Sequence, residues 1–349
     1  MNQSATAHYR TWLLVGVLLG AVGLYTASSI QPRSLLAEWA TEALLVFLAP
    51  KTCANDFAQV TNVIRLPAEM PELYESLVAL KNGDFVVTAA TRGELIRVSR
   101  DGSWNLLATL PVGKTDLTRF NGLLGGMVVG RDSAIYAAVN AIDAQWRGIW
   151  RVDRKGNSKL WSRFPEQATL NGMAMDSQGN LFVADSSLGL IWKVSPQGEA
   201  PVRWHESQLA GANRNVPLPT ANGLKIHQNH VYLSNTWDQH ILKIPVLETG
   251  ESGREQLWDT GVAGDDFAID EQGHLYLTTH PFNTVVRLQQ SEACKLVADQ
   301  HRSNLAGPTA AVFGERLEDR DILYVLNDGG FSRKVENGFP SIVALSIDP

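Results

Sequence analysis

The stretch LNGMAMDSQGNLFVADSS, Leu170 to Ser187, decides the reading of this chain. It reads as a strand, a turn at Gly179 and a second strand. Its start is odd. Asn171-Gly172 sits where a strand favours β-branched or aromatic residues. The phrase also recurs. DDFAIDEQGHLYLTTHPF begins at Asp265, ANGLKIHQNHVYLSNTWD at Ala221 and ESLVALKNGDFVVTAATR at Glu75. Weaker copies begin at Gly125 (GGMVVGRDSAIYAAVN) and Gly307 (GPTAAVFGERLEDRDILYVLND). Six units at a spacing of roughly 40–50 residues have the period of propeller blades.

Each unit supplies up to four strands, A to D. The unit at Asn171 offers GMAMD, NLFVAD, LIWKVS and PVRWHE. The sixth unit ends with SIVALSIDP and has no fourth strand, while VTNVIRLP (residues 60–67) precedes the first unit without a blade of its own. Placing that segment in the last blade closes the ring and removes an open sheet edge. The expected fold is therefore an all-β, six-bladed propeller over residues 60–349. Closure also brings Cys294, at the start of strand D of blade five, near Cys53, just before the closing strand. A disulfide and two separate thiols both stay open at this point, and an oxidising compartment favours the bond.

The bulk properties suit this class. The 349 residues carry a formal net charge of −6 with Lys and Arg scattered, so nucleic acid is not an expected partner. With two cysteines and no CxxC or Cys/His cluster, a zinc site is not expected. Residues 1–33 contain TWLLVGVLLGAVGLYTASSI (Thr11 to Ile30), twenty residues without a charge, long enough to span a bilayer as a helix. It reads as a signal anchor that tethers the chain to a membrane, or as a cleaved signal peptide; a buried globular helix is the third reading. Either of the first two sends the propeller out of the cytoplasm, to a periplasmic, extracellular or lumenal space. Residues 34–59 read as an amphipathic helix, ended by Pro50, and a linker.

Counting back from the A–B turn gives the Asn-Gly pair a purpose. Glu75, Asn171 and Asp265 each lie eight residues before a turn glycine, and Asn222 lies seven before Asn229 in a shorter hairpin. Strand A is innermost in a blade, so these four residues are expected to meet on the propeller axis. Two carboxylates and two amide oxygens make an all-oxygen cage for one hard divalent cation, calcium before magnesium. Asn121-Gly122 mimics the phrase, but alignment puts Gly125 at the ligand position, leaving Asn121 to line the pocket. Pro308 and Thr309 of the sixth unit are expected to contribute no ligand. Turn and cap chemistry alone is the competing explanation for such residues.

The pattern Glu75, Asn171, Asn222 and Asp265 resembles the SMP-30/gluconolactonase family of calcium-dependent six-bladed propellers, related to paraoxonases, diisopropyl-fluorophosphatases and strictosidine-synthase-like proteins. The resemblance runs from about Val60 to Pro349. It implies that these four residues hold a catalytic calcium. Glu75 is followed by Ser-Leu where the family often has Gly-Pro. Asp265 is followed by Asp266, closer to the paraoxonase arrangement. The implied activity is hydrolysis of a small-molecule lactone or related ester, with Asp265 as base or nucleophile and Asp266 as a second candidate. The B–C loops are expected to ring the mouth with Thr91, Asn140, Asp185, Trp237, His280 and Asn327, with His280 as a proton shuttle. Two other functions compete: a non-catalytic binding propeller of the NHL type, and a strictosidine-synthase-like protein.

Overall fold

Short apolar strands split by Gly and Asn turns fold into six four-stranded antiparallel units arranged around one axis. The computed structural model describes residues 50–67, 72–212, 216, 218–290, 292–331 and 334–347. The expected membrane segment and the amphipathic helix up to residue 49 lie outside the described residues. Among those described, no helix is long and apolar enough to cross a membrane.

The chain enters through β1 (Ala54–Asn55) and β2 (Gln59–Arg65). Blade one is β3 (Tyr74–Ala79), β4 (Phe85–Ala89), β5 (Glu94–Val98) and β6 (Trp104–Thr109). Blade two is β7 (Leu123–Val129), β8 (Ile135–Asn140), β9 (Gly148–Val152) and β10 (Ser158–Arg163). Blade three is β11 (Leu170–Met175), β12 (Leu181–Asp185), β13 (Leu190–Val194) and β14 (Val202–Glu206). Blade four is β15 (Ala221–His227), β16 (His230–Asn235), β17 (His240–Pro245) and β18 (Gln256–Thr260). Blade five is β19 (Phe267–Ile269), β20 (Leu275–Thr279), β21 (Thr284–Leu288) and β22 (Lys295–Asp299). Blade six is β23 (Pro308–Phe313), β24 (Ile322–Asp328) and β25 (Pro340–Ser346), completed by β2 in the order β2-β25-β24-β23. The first strand of each blade touches its counterparts on both sides, in the ring β3–β7–β11–β15–β19–β23 and back to β3.

The core lies between blades. Every residue of β4, β12 and β20 is buried, because a second strand has a neighbouring blade on each face. The Phe85 and Tyr324 rings pack at 4.6 Å across the seam between blades one and six, where closure must hold. The outer strands are exposed along one side; in β6 Trp104 and Leu106 face solvent.

The cysteines are bonded, Cys53 to Cys294, with Cα atoms 4.8 Å apart. The placement of Cys53 differs from the sequence expectation. Instead of merely preceding the closing strand of blade six, it leads into β1, which pairs in parallel with β22 as a fifth strand on blade five. The compact unit correspondingly begins at Pro50 rather than residue 60. The entering chain covers the outer edge of one blade and then completes the next.

The link closes a span of 241 residues that includes four complete blades and the first three strands of the fifth. Replacing both cysteines with serine is expected to cost about 3 kcal/mol of stability. It would be read as a lower urea midpoint at unchanged slope. An unchanged midpoint would show that β1 and β2 hold the ring without the bond.

Candidate metal centre

The A–B pairing explains why four polar residues face the axis. In β3/β4 the register shifts between Tyr74 and Leu77, in β11/β12 between Leu170 and Met173, and in β15/β16 between Ala221 and Leu224. Glu75, Asn171 and Asn222 sit inside these bulges. A bulge frees its residues from ladder pairing and re-aims their side chains. Asp265 stands just before β19, in the same place relative to the Phe267–Leu277 pair. All four line one axial cavity of about 20 Å³, room for a single water-sized occupant.

The Gly after each Asn is equally explicable. A Cβ on Gly172 would come within 2.4 Å of the Asn222 carbonyl oxygen, and one on Gly223 within 2.7 Å of that of Asp265. Glycine lets neighbouring innermost strands approach until their ligand positions share the axis. Blade two follows the same rule without a ligand. Its bulge, between Leu124 and Met127, holds Gly125 and Gly126. Gly125 thus occupies the equivalent position, as the sequence alignment has it. In blade six Thr309 stands there and gives its hydroxyl to the Tyr74 carbonyl at 2.6 Å.

The electrostatics are those of carboxylates without enough countercharge. Burial, then the charge of Asp265, lifts Glu75 well above the usual carboxylate range. Burial likewise raises Asp265, to about 6, against the lowering effects of His280 and of the 2.9 Å hydrogen bond from Asn222 Nδ2. His280 Nδ1 lies 3.8 Å from Asp265 Oδ2, and its Nε2 lies 2.8 Å from Asp328 Oδ2. Burial alone would lower His280. The bond to Asp328 and the charges of Asp328, Asp265 and Glu75 outweigh it and lift the imidazole to about 9. Asp328 is fully buried, and its Oδ1 accepts from the amides of Gly330 and Phe331.

The donor set fits a hard cation. Two carboxylates converge with two amide side chains, and among the described residues none donates a hydrogen bond to Oδ1 of Asn171 or Asn222. The described residues contain no cluster of three or more His, Cys, Asp and Glu side chains placed to bind a metal. Half of this cage is amide oxygen, which suits calcium better than a transition metal.

Other expected residues fall elsewhere. Asp266 lines the cavity, but its carboxylate is paired with Lys225 Nζ. Asn140, Asp185 and Asn327 are fully buried and do not face the cavity. Asp185 accepts from the amides of Thr169, Ser187 and Leu188 and from Trp192 Nε1. Asn327 binds the Ala306 amide and the Val325 carbonyl. Asn121 Oδ1 accepts from Nη2 of buried Arg147 at 2.7 Å. Thr91 donates to Glu72. Trp237 is half-buried, and its amide donates to the Pro219 carbonyl. Asp328 is the functional candidate that sequence reading missed. Its neighbour Asn327, the residue expected at the mouth, lies one residue out of register, and successive strand residues point to opposite faces.

Below Lys225 the channel widens. Leu77, Met127, Met173 and Lys225 border both the ligand cavity and a second one of about 860 Å³ among the A–B turns.

No protein-family model matches this chain, and no curated protein does. Solved structures do. The chain is similar to a gluconolactonase from Xanthomonas campestris, at 13% identity over 85% of this chain and 98% of that one, with a TM-score of 0.60. It is similar to the calcium-binding protein regucalcin from Agrobacterium tumefaciens, at 16% identity over 85% and 98%, TM-score 0.58. It is also similar to virginiamycin B lyase from Staphylococcus aureus, at 13% over 82% and 88%, TM-score 0.54. At these identities the likeness shows the fold, and the structural neighbours are gluconolactonase and regucalcin propellers, as the sequence resemblance implies.

The charge arrangement predicts how metal-free protein responds to pH. Raised carboxylates and a raised imidazole all bind protons more tightly in the folded chain. Stability from them is therefore greatest at low pH. It falls as pH rises from about 4 through the Asp265 value, and again between about 6.5 and about 9 for His280. In chelator stability should fall by several kcal/mol between about pH 4 and about pH 9, read as a falling melting temperature. Calcium should reduce the drop, and Glu75→Gln with Asp265→Asn should remove its part below about pH 6, leaving the part that His280 owes to Asp328. A pH-independent melting curve in chelator would contradict this account of the site.

Proposed function

We propose that this protein is a calcium-dependent hydrolase of small-molecule lactones or related esters. The observation that carries the reading is the meeting of Glu75, Asp265, Asn171 and Asn222 in one water-sized cavity on the axis. Regucalcin, similar in fold, is described as calcium-binding, and the Xanthomonas neighbour as a gluconolactonase.

When bound, calcium would polarise the ester carbonyl and stabilise negative charge developing on its oxygen. The chain's own groups supply the rest. Glu75, Asn171, Asn222 and Asp265 would hold the ion. Asn222 Nδ2 ties down one oxygen of Asp265, leaving the other toward His280. Asp265 then acts as base on a water or as nucleophile toward the carbonyl carbon. Asp328 holds His280 through Nε2, so Nδ1 faces Asp265. Asp328 is not one of the four cage residues, so its bond to His280 does not depend on them, and His280 is kept as a proton carrier. It would pass a proton to the departing alcohol and recover one from water. Asp266, held by Lys225, contributes charge balance below the site.

The reading also places the propeller outside the cytoplasm, tethered to a membrane by residues 11–30. The Cys53–Cys294 bond supports an oxidising compartment. The charge-free run from Thr11 to Ile30 supports the tether.

An activity screen on lactones and aryl esters tests the proposal. Chelation should abolish turnover and calcium should restore it. Glu75→Gln and Asp265→Asn should each lower kcat/KM by at least about 10³-fold. His280→Gln should lower kcat by about 10²-fold while calcium affinity stays within a few-fold. Turnover that survives chelation, or that survives both ligand substitutions, would refute a metal-dependent hydrolase.

A further inference from the structure

The register places one residue of each blade just beyond the partner of the residue that precedes the ligand position. Tyr74 pairs with Ala89, Leu124 with Val139, Leu170 with Asp185, Ala221 with Asn235 and Pro308 with Asn327. The next residues are Ala90, Asn140, Ser186, Thr236 and Asp328, with His280 in the same place in blade five. Three members of this ring reach into the following blade and bind one particular atom. Asn140 Nδ2 donates to the Leu170 carbonyl at 2.8 Å, Ser186 Oγ to the Ala221 carbonyl at 2.7 Å, and Thr236 Oγ1 to the Gly264 carbonyl at 2.6 Å. Leu170, Ala221 and Gly264 are the residues immediately before Asn171, Asn222 and Asp265. The fourth ligand has the same support from Thr309, which binds the carbonyl of Tyr74, just before Glu75. All four donors are buried.

Two of the hydroxyls act twice. Asn171 Nδ2 donates to Ser186 Oγ at 3.3 Å, and Asn222 Nδ2 donates to Thr236 Oγ1 at 2.8 Å. Each hydroxyl accepts from the ligand amide of its own blade and donates to the backbone before the ligand of the next. An amide held by its nitrogen presents its oxygen elsewhere.

We propose that Ser186 and Thr236 are positioning residues of the cation site. They turn the Asn171 and Asn222 oxygens toward the ion and couple each ligand to its neighbour in the next blade. Asn140 and Thr309 complete the backbone support. This deepens the reading given above and rests on it. The benefit is preorganisation: a bulged strand start would otherwise leave each amide free to rotate, and partners outside the ligand shell commonly set metal affinity.

The test is calcium titration calorimetry on the full chain, paired with melting curves in chelator. Ser186→Ala and Thr236→Val should each weaken calcium binding by about 10-fold, and the pair together by about 100-fold. Thr236→Ser, which restores the hydroxyl, should bind within about threefold of the parent. A purely structural role would instead lower the melting temperature in chelator and leave the calcium Kd in place. Should Thr236→Val fail to fold, Ser186→Ala carries the same test on the neighbouring blade. If the parent binds calcium, Glu75→Gln does not, and both hydroxyl variants bind like the parent, the positioning role is overturned while the metal reading stands. If the parent binds no divalent cation, both fall together.

Discussion

Two half-buried carboxylates on one axis repel each other, and most of this molecule can be read as the means of forcing that meeting and then making it useful. Neither Glu75 nor Asp265 ionises readily where it lies, because burial and mutual charge both oppose it. No local segment could hold such a pair, since they are 190 residues apart in sequence. Only a closed ring brings blade one against blade five across an axis. The closing strand β2, the aromatic seam of Phe85 with Tyr324 and the Cys53–Cys294 bond therefore hold the site together as well as the fold. A divalent cation bound there would relieve the repulsion that closure creates. Anything that binds only the closed form stabilises it by mass action, so ion binding and ring closure should be thermodynamically linked.

The repeat supplies more than a scaffold. The same bulge occurs at the same place in blade after blade, and its outcome depends on one or two residues. With Asn-Gly it presents an amide oxygen and admits the neighbouring strand. With Gly-Gly, in blade two, it presents nothing. With Thr309 it turns back to support the adjacent ligand. The ring just outside shows the same economy: Asn140, Ser186 and Thr236 bind backbone, whereas His280 and Asp328 at equivalent positions bind each other. Support thus gathers on one side of the axis and proton-handling groups on the other, beside Asp265.

Much of this was legible in sequence because it is periodic. Blade number, strand closure and the four positions that line the axial cavity all follow from spacing, and Gly125 could be told from Asn121 by register alone. What escaped was not periodic. The extra strand β1 forms from a short linker whose pairing with β22 leaves no apolar pattern. Asp185 and Asn327 look like pocket residues because they end second strands, but each is one residue from the channel-facing position. A β register error of one reverses every side chain, and it hid Ser186 and Asp328 together. The Lys225–Asp266 pair was hidden for another reason: two residues on different blades meet only once the axis exists.

The most direct test is a crystal structure of the protein grown with calcium, with anomalous scattering used to locate the ion. The account predicts one peak on the propeller axis, at about 2.3–2.6 Å from oxygens of Glu75, Asn171, Asn222 and Asp265. An axis without an ion at saturating calcium, or an ion bound elsewhere with those four side chains turned apart, would contradict it.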